Sequence, residues 1–310
     1  MKVLVTGKNG LCGSSIMRLS AHYPQYTFNF IGREYGDLTD ELNVREMYDV
    51  EQPDYVIHTA AKVGGIGGNE AGHAQYFRDN LLMNTHMIHQ AYLHDVQKMI
   101  VFSSVCVFPD DLAELQEDKM HDGPVYNSNF AYGYAKRMVD IQIRAYKKQY
   151  CITNYCSVIP GNIYGPSDMY NIENGHVLPS LIHKLYLAKR DNTEWTIWGD
   201  GLSLREFIYV DDLSRVVINL LSKQQLPERL ICSGDKEYSI KEIVEKLAKI
   251  ADFPVDRIVW DTTKPNGQRS RPSNLAELYN QFPDMWFYNI DKGLKNSYDW
   301  FVENYEVARK

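Results

Sequence analysis

The chain has 310 residues and a mass of 35.9 kDa, enough for one large domain or two modest ones. Its hydrophobic content of 44% and charged content of 24% are those of a globular protein and exclude a disordered or fibrous chain. A net charge of −7 argues against a general nucleic-acid-binding protein, which needs a basic surface.

Two further classes are excluded by the distribution of apolar residues and cysteines. No apolar run approaches the roughly 18 residues of a membrane span, and the apolar part of the first residues is shorter than we expect of a signal peptide. The five cysteines are odd in number and contain no Cys-x-x-Cys pair, which argues against a disulfide framework or a metal site. We therefore expect a cytoplasmic protein that contacts neither membrane nor nucleic acid and binds no metal.

The first half of the chain alternates short apolar runs with helical patterns. The apolar runs predict strands over 2–6, 28–31, 55–58, 99–102 and 155–159. Helical patterns occupy 11–22, 40–51, 75–95 and 132–149. This alternation predicts an α/β fold, a doubly wound parallel Rossmann sheet.

The second half is richer in loops and aromatic residues, which predicts a smaller mixed α/β substrate lobe. Residues 239–251 form a helical pattern that begins with a capping box, Ser239 and Glu242. We expect a cofactor-binding domain over 1–165 and a substrate-binding lobe over 166–310, with part of 206–235 packing back on the first domain.

A glycine-rich loop directly follows the first strand. It contains Gly7, Gly10 and Gly13 in a G-x-x-G-x-x-G pattern, with Asn9 inside it. Glycines allow a tight turn and let backbone N–H groups approach a pyrophosphate at a helix N-terminus. The loop predicts dinucleotide binding; the alternative is an ordinary strand-to-helix connection.

The end of the second strand indicates which dinucleotide is bound. An acidic residue there holds the ribose 2′-hydroxyl of NAD, whereas an arginine accommodates the 2′-phosphate of NADP. The sequence has Arg33 followed by Glu34, so Arg33 favours NADP(H) and Glu34 argues for the opposite choice.

A tyrosine and a lysine are spaced for joint chemistry. Tyr132 and Lys136 are four residues apart on a predicted helix and share one face. A nearby ammonium should lower the pKa of the phenol, which suits an acid that protonates a developing alkoxide. Ser103 and Ser104 end the strand before this helix and offer a hydroxyl to the same substrate oxygen. By itself, the spacing is common, and a packed tyrosine beside a solvated lysine is the alternative.

Together these motifs resemble an extended short-chain dehydrogenase/reductase. The resemblance also rests on Asp37-Leu38, Ala60-Ala61 and Asn80, which occur in the order and spacing of that superfamily. It implies a Ser–Tyr–Lys catalytic group, with Asp37, Leu38, Ala60, Ala61 and Asn80 at the cofactor. For Asp37 a helix cap is the alternative.

Longer segments resemble the GDP-L-fucose synthase family over essentially the whole chain. They are Ala-Ala-Lys-Val-Gly-Gly-Ile at 60–66, Pro-Gly-Asn-Ile-Tyr-Gly-Pro at 160–166, His-Val-Leu-Pro at 176–179, Trp-Gly-Asp-Gly at 198–201, Arg-Glu-Phe-Ile-Tyr-Val-Asp-Asp at 205–212 and Lys-Pro-Asn-Gly at 264–267. The resemblance implies a homodimer that epimerises C3 and C5 of a GDP-4-keto-6-deoxy sugar and reduces C4 with NADPH.

The same resemblance assigns roles to single residues. Ser104 joins Tyr132 and Lys136 in reduction, and Cys106 and His176 are the epimerisation acid/base pair. A buried structural cysteine and a loop histidine are the alternatives for that pair. The resemblance places the substrate against Asn162, Lys184, Trp198, Arg205 and Lys264, where a solvated loop lysine is the alternative for Lys264.

The chain departs from the family pattern at several positions. Asn9 replaces a basic residue of the glycine loop, and Lys184 replaces an arginine, which it cannot match in bidentate phosphate binding. We expect an NADPH-dependent GDP-sugar 4-ketoreductase and leave the epimerisation open. The alternatives are a C4 reductase of a GDP-4-keto-6-deoxy-heptose without epimerase activity and, in another class, a non-catalytic NADP-binding sensor.

Overall fold

The computed structural model describes residues 1–64, 72–264 and 270–310. Its strands are β1 (Lys2–Thr6), β2 (Thr27–Ile31), β3 (Tyr55–His58), β4 (Lys98–Phe102), β5 (Tyr155–Pro160), β6 (Asn162–Tyr164), β7 (Trp195–Trp198), β8 (Leu204–Tyr209), β9 (Arg229–Cys232), β10 (Glu237–Ser239) and β11 (Ile258–Asp261). Its helices are α1 (Leu11–Leu19), α2 (Glu41–Glu51), α3 (His73–Leu93), α4 (Phe130–Tyr150), α5 (Val177–Arg190), α6 (Val210–Leu220), α7 (Ile240–Ala251), α8 (Ala276–Gln281) and α9 (Ile290–Glu303).

A six-stranded parallel sheet forms the centre of the first lobe. Its strand order is β2-β1-β3-β4-β5-β9. The five strands that the apolar runs predict are present within one residue of their predicted limits. The region predicted as one helix over 11–22 is α-helical only to Leu19 and ends in a 3-10 turn over Ser20–His22. The predicted fold class is confirmed.

Helices cover both faces of this sheet, which is why its inner strands are mostly apolar and buried. Successive side chains of a strand point to opposite faces. Val3 and Val5 of β1 accordingly join a core with Ile16 of α1, whereas Leu4 joins the opposite core with Val44 of α2. Helix α6 packs against α1, and β9 pairs with β5, so residues 210–232 return to the first lobe.

The second lobe has its own hydrophobic core. It combines the mixed sheet β10-β8-β6 and the parallel pair β11-β7 with α5, α7 and α9. Trp195, Leu247 and Phe301 are fully buried there. The capping box of Ser239 and Glu242 is present at the start of α7. None of the helices within the described ranges is long and apolar enough to cross a bilayer.

Candidate active site

The glycine loop lies where the order of the central sheet reverses. The sheet continues from β1 to β2 on one side and to β3 on the other, and ligands of such sheets bind at this switch point. Gly7 has a φ of +79°, which turns the chain sharply after β1. A Cβ at Gly13 would lie 2.2 Å from the Gly7 carbonyl oxygen, so only glycine fits. No side chain caps α1 at Gly10, which leaves backbone N–H groups of its first turn for an anion. The loop fits a dinucleotide pyrophosphate.

After β2, Glu34 and Arg33 differ in their surroundings: Glu34 has protein partners, and Arg33 is exposed. The Glu34 carboxylate forms a salt bridge with Lys8 and accepts a hydrogen bond from the Gly32 N–H at 2.5 Å. Arg33 and Asn9 are exposed at the same edge. The Lys8 ammonium thus neutralises the acidic residue beside Arg33, and the site fits a 2′-phosphate.

The segment after Arg33 corrects the alternative reading of Asp37. The cap of α2 is Asp40, whose Oδ1 accepts a hydrogen bond from the Leu42 N–H at 2.9 Å. Asp37 instead accepts the Thr39 N–H at 2.9 Å, which lowers the pKa of its carboxyl. Asp37 is exposed, and the next residue, Leu38, is buried.

The loop after β3 is held from below by Asn80. The Ala60 N–H donates to the Thr6 hydroxyl at 3.3 Å, and Ala61 follows it along the same edge. Asn80 is fully buried; its Oδ1 accepts from the Lys62 N–H at 3.0 Å and its Nδ2 donates to the Lys62 carbonyl at 2.9 Å. Asn80 thus positions the loop through the backbone. Residues 65 and 66 of the family-like segment lie outside the described residues.

Ser104, Tyr132 and Lys136 come together at the carboxyl end of β4. The Ser104 hydroxyl shares a hydrogen bond with the Tyr132 hydroxyl. Lys136 is 1% exposed, and its Nζ donates to the Phe102 carbonyl at 2.8 Å. Ser103, the other predicted hydroxyl, donates instead to the Lys136 carbonyl at 3.4 Å. The structure therefore selects Ser104 as the hydroxyl that faces Tyr132.

The protonation of this group differs from the sequence expectation. Burial raises the pKa of Tyr132, whereas the spacing to Lys136 predicted a lowered one. Burial also lowers the pKa of Lys136 to about 8. The expectation was wrong because four-residue spacing ignores desolvation, which opposes the charged form of both groups. Tyr132 is a neutral phenol, the form that can give up a proton.

Cys106 lies against the same helix. It follows Ser104 in a 3-10 turn, and its N–H donates to the Ser104 hydroxyl at 3.2 Å. A Cβ at Gly133 would lie 2.6 Å from the Cys106 carbonyl oxygen, so α4 rests directly on this turn. Asn129, which the sequence analysis missed, donates from Nδ2 to the Cys106 sulfur at 3.7 Å. Burial raises the pKa of the Cys106 thiol; hydrogen bonds from Ser104 and Asn129 oppose that rise.

His176 lies in the second lobe. It is the N-cap residue of α5, with an extended backbone conformation. Its surface is accessible, yet the surrounding protein lowers its pKa by desolvation. Within the described ranges no hydrogen bond joins His176 to Ser104, Cys106 or Tyr132.

Arg271 lies near both Arg205 and Cys106. Burial lowers the pKa of both arginines, and the charge of Arg271 lowers the pKa of Arg205, which stands at the start of β8, further. Arg271 donates to the Pro109 carbonyl at 2.6 Å. Two partly buried cations repel each other, and Glu237 offsets part of this repulsion at Arg205. Sequence analysis missed Arg271 because it is 66 residues from Arg205 along the chain.

The remaining predicted substrate residues lie in the second lobe. Asn162 donates from Nδ2 to the Glu206 carbonyl at 2.8 Å and so fixes β8 beside β6. Lys184 and Lys264 both lie over the Trp198 ring, with Nζ 3.8 and 5.4 Å from its centre. Burial lowers the pKa of Lys184 to about 8. A cavity of about 340 Å³ adjoins Trp198 and Lys184. Residues 265–267 of the Lys-Pro-Asn-Gly segment lie outside the described residues.

Comparison with known proteins agrees with this arrangement. The model of the NAD dependent epimerase/dehydratase family matches residues 3–232. The GDP-L-fucose synthase of Dictyostelium discoideum is 36% identical over 313 residues, which cover 99% of this chain and 97% of that protein. A GDP-L-fucose synthetase from Naegleria fowleri, solved bound to NADP, is 34% identical with a TM-score of 0.93, covering 100% of this chain and 95% of that one. The chain belongs to the NAD dependent epimerase/dehydratase family and, within it, to the GDP-L-fucose synthase family.

Proposed function

We propose that this protein reduces the C4 ketone of a GDP-4-keto-6-deoxy sugar with NADPH, after epimerising C3 and C5 of the same sugar. The observation that carries the proposal is the Ser104 hydroxyl, which contacts both Tyr132 and Cys106. One substrate carbonyl placed at Ser104 is thus within reach of a proton donor for reduction and of a thiol for epimerisation. The names of the relatives and the bound NADP of the Naegleria structure support the same reaction and cofactor.

In the reduction, NADPH supplies the hydride to C4. The neutral Tyr132 phenol donates its proton to the C4 oxygen, and Ser104 donates a hydrogen bond to that oxygen. Lys136, with a pKa of about 8, remains mostly protonated at neutral pH. Its charge stabilises the phenolate that Tyr132 leaves behind.

In the epimerisation, the C4 ketone acidifies the protons on C3 and C5. Inversion at a carbon requires removal of a proton on one face and its return on the other. At neutral pH the raised pKa of Cys106 keeps a proton on sulfur, and the lowered pKa of His176 keeps its imidazole neutral. Cys106, on the first lobe, is therefore the proton donor, and His176, on the second lobe, is the acceptor.

Charged and aromatic side chains indicate where the diphosphate and the nucleoside of the substrate bind. Arg205 and Arg271 bind the diphosphate, because a bridging anion offsets their mutual repulsion. Trp198 and the two lysines above it, Lys184 and Lys264, receive the nucleoside end. Asn162 holds β8, the strand that carries Arg205, in place through its hydrogen bond to the Glu206 carbonyl. We assign cofactor binding to residues 1–165 and substrate binding to 166–310.

Cofactor contacts follow the edge of the sheet. Gly7, Asn9, Gly10 and Gly13 surround the pyrophosphate, and Arg33 binds the 2′-phosphate. Asp37 and Leu38 border the adenine, Ala60 and Ala61 line the next turn, and Asn80 supports that turn from beneath.

The compartment we propose is the reducing cytoplasm. All five cysteines are free thiols, and oxidation of Cys106 would remove the proton on which epimerisation depends.

We also propose a homodimer, in which α3 and α4 of one copy pack on those of the other. These two helices pack side by side, yet their outer surfaces expose large apolar side chains. Phe77 and Leu93 of α3 are 39% and 54% exposed, and Ile141 and Tyr150 of α4 are 42% and 41% exposed. Exposed apolar side chains on a pair of packed helices favour burial against a second copy of the same surface.

Tyr132→Phe should lower kcat for reduction by on the order of 100-fold or more, because the proton donor is lost. NADPH affinity should stay near the wild-type value. The matched control is Tyr134→Phe, on the same helix but stacked against Arg137. Single-turnover hydride transfer at the wild-type rate in Tyr132→Phe would remove Tyr132 from the mechanism.

Arg33→Ala should weaken NADPH binding about 10-fold or more and leave NADH binding nearly unchanged, since only the 2′-phosphate loses its charged partner. Both affinities are measured by fluorescence titration. Arg45→Ala, an exposed arginine on α2, serves as the control. Equal weakening for both cofactors would show that Arg33 has a structural role instead.

Enzyme and 4-keto sugar incubated in D₂O without NADPH should place deuterium at C3 or C5, measured by NMR. Cys106→Ser and His176→Asn should suppress this exchange far more than reduction of an already epimerised substrate, while Cys151→Ser should not. The hexose and heptose sugars are tested side by side. If no sugar exchanges above the non-enzymatic background, the protein is a C4 reductase only.

Ile141→Asp should convert the homodimer to a monomer, because a carboxylate cannot be buried without a partner at an apolar interface. Analytical ultracentrifugation gives the mass directly. Leu42→Asp, at a 70% exposed position on α2, is the control. A wild-type protein that sediments as a monomer would refute the proposed interface.

A further inference from the structure

We infer that the amide of Asn129 donates a hydrogen bond to the Cys106 sulfur and stabilises the thiolate of that residue. This makes Asn129 a positioning residue for proton transfer at C3 and C5. The inference rests on the acid/base role proposed for Cys106, and it adds a residue that acts through the thiol.

The contact is set by the backbone around it. Asn129 ends a 3-10 turn over Asn127–Asn129 that leads directly into α4. The bare Cα of Gly133, one helical turn later, lets α4 rest on the Cys106 carbonyl. This close approach brings the Asn129 side chain within reach of the sulfur, 3.7 Å from Nδ2 to Sγ. The geometry of the turn, rather than a flexible side chain, determines the contact.

A separate donor is needed because the Ser104 hydroxyl has two duties. That hydroxyl carries a single hydrogen, yet it contacts both the Cys106 thiol and the Tyr132 hydroxyl. When Ser104 donates to the substrate oxygen at C4, its hydrogen no longer faces the sulfur. The Asn129 amide, which has two hydrogens, remains as a donor to the sulfur throughout.

The hydrogen bond from Asn129 stabilises the thiolate of Cys106 more than its neutral thiol. Burial disfavours the thiolate, and a donor to a charged acceptor is worth more than one to a neutral acceptor. The other groups that face the sulfur are the Ser104 hydroxyl, the Tyr132 phenol on α4 and the Arg271 guanidinium from the second lobe. Of these, Arg271 favours the thiolate by its charge, but we have assigned it to the substrate diphosphate. Asn129 therefore keeps the thiol acidic enough to exchange protons whether or not substrate is bound.

The test measures thiol reactivity without substrate. Iodoacetamide reacts with the thiolate, so the pH dependence of Cys106 alkylation, followed by mass spectrometry of its peptide, reports its pKa. Asn129→Ala should slow alkylation at pH 7.5 about 10-fold, which corresponds to a rise of about one unit in the thiol pKa. Asn129→Asp has the same shape but places a carboxylate at the sulfur, and should slow it further. Asn127→Ala, exposed in the same turn, should leave the rate unchanged.

The outcomes separate this inference from the proposed function. Asn129→Ala and Asn129→Asp should also lower deuterium exchange at C3 and C5 more than they lower reduction of an epimerised substrate. Unchanged alkylation profiles in both variants would overturn the inference, even if the wild-type protein epimerises. Shifted profiles with no exchange in the wild-type protein would retain the contact and refute epimerisation. Because Asn129→Asp preserves the side-chain shape, it keeps the test valid if Asn129→Ala fails to fold; NADPH binding checks the fold of each variant.

Discussion

The close approach of α4 to the turn after β4 is the constraint on which the site depends. It exists because Gly133 has no side chain: a Cβ there would meet the Cys106 carbonyl at 2.6 Å. The contact locks the helix that carries Tyr132 and Lys136 against the turn that carries Ser104 and Cys106. In the proposed mechanism, hydride-coupled protonation and proton exchange at carbon therefore share the Ser104 hydroxyl.

Burial, more than charge pairing, determines the protonation states in this site. Desolvation raises the pKa values of Tyr132 and Cys106 and lowers those of Lys136 and His176. At neutral pH the phenol and thiol keep their protons, and the imidazole is free to accept one. In the mechanism we propose, these groups act as acids and a base, and the hydrogen bond from Asn129 to the Cys106 sulfur tunes one of them.

The chain is acidic overall, yet four cations lie in two pairs where the substrate is expected. Arg205 stands on β8. Arg271 stands on a different segment, which pairs with Leu115 through a β-bridge at Ser273. Lys184 and Lys264 share the face of Trp198. The like charges of each pair repel each other, and carboxylates offset part of that repulsion: Glu237 at Arg205, and Asp261 at Lys184 and Lys264.

The sequence by itself determined the features that depend on local order. The alternation of apolar runs predicted the parallel sheet, and the capping box at Ser239 predicted the start of α7, because backbone geometry and caps are decided by near neighbours. The spacing of Tyr132 and Lys136 likewise predicted one helical face, and family resemblance supplied the roles that spacing could not. The resemblance had already pointed to Ser104 as the partner of Tyr132, but only the tertiary structure decided that Asp40 rather than Asp37 caps α2 and that burial reverses the expected pKa change of Tyr132. It alone brought Asn129 to Cys106 and Arg271 to Arg205. Desolvation and contacts between distant segments arise from how the elements pack, and no local pattern of residues encodes them.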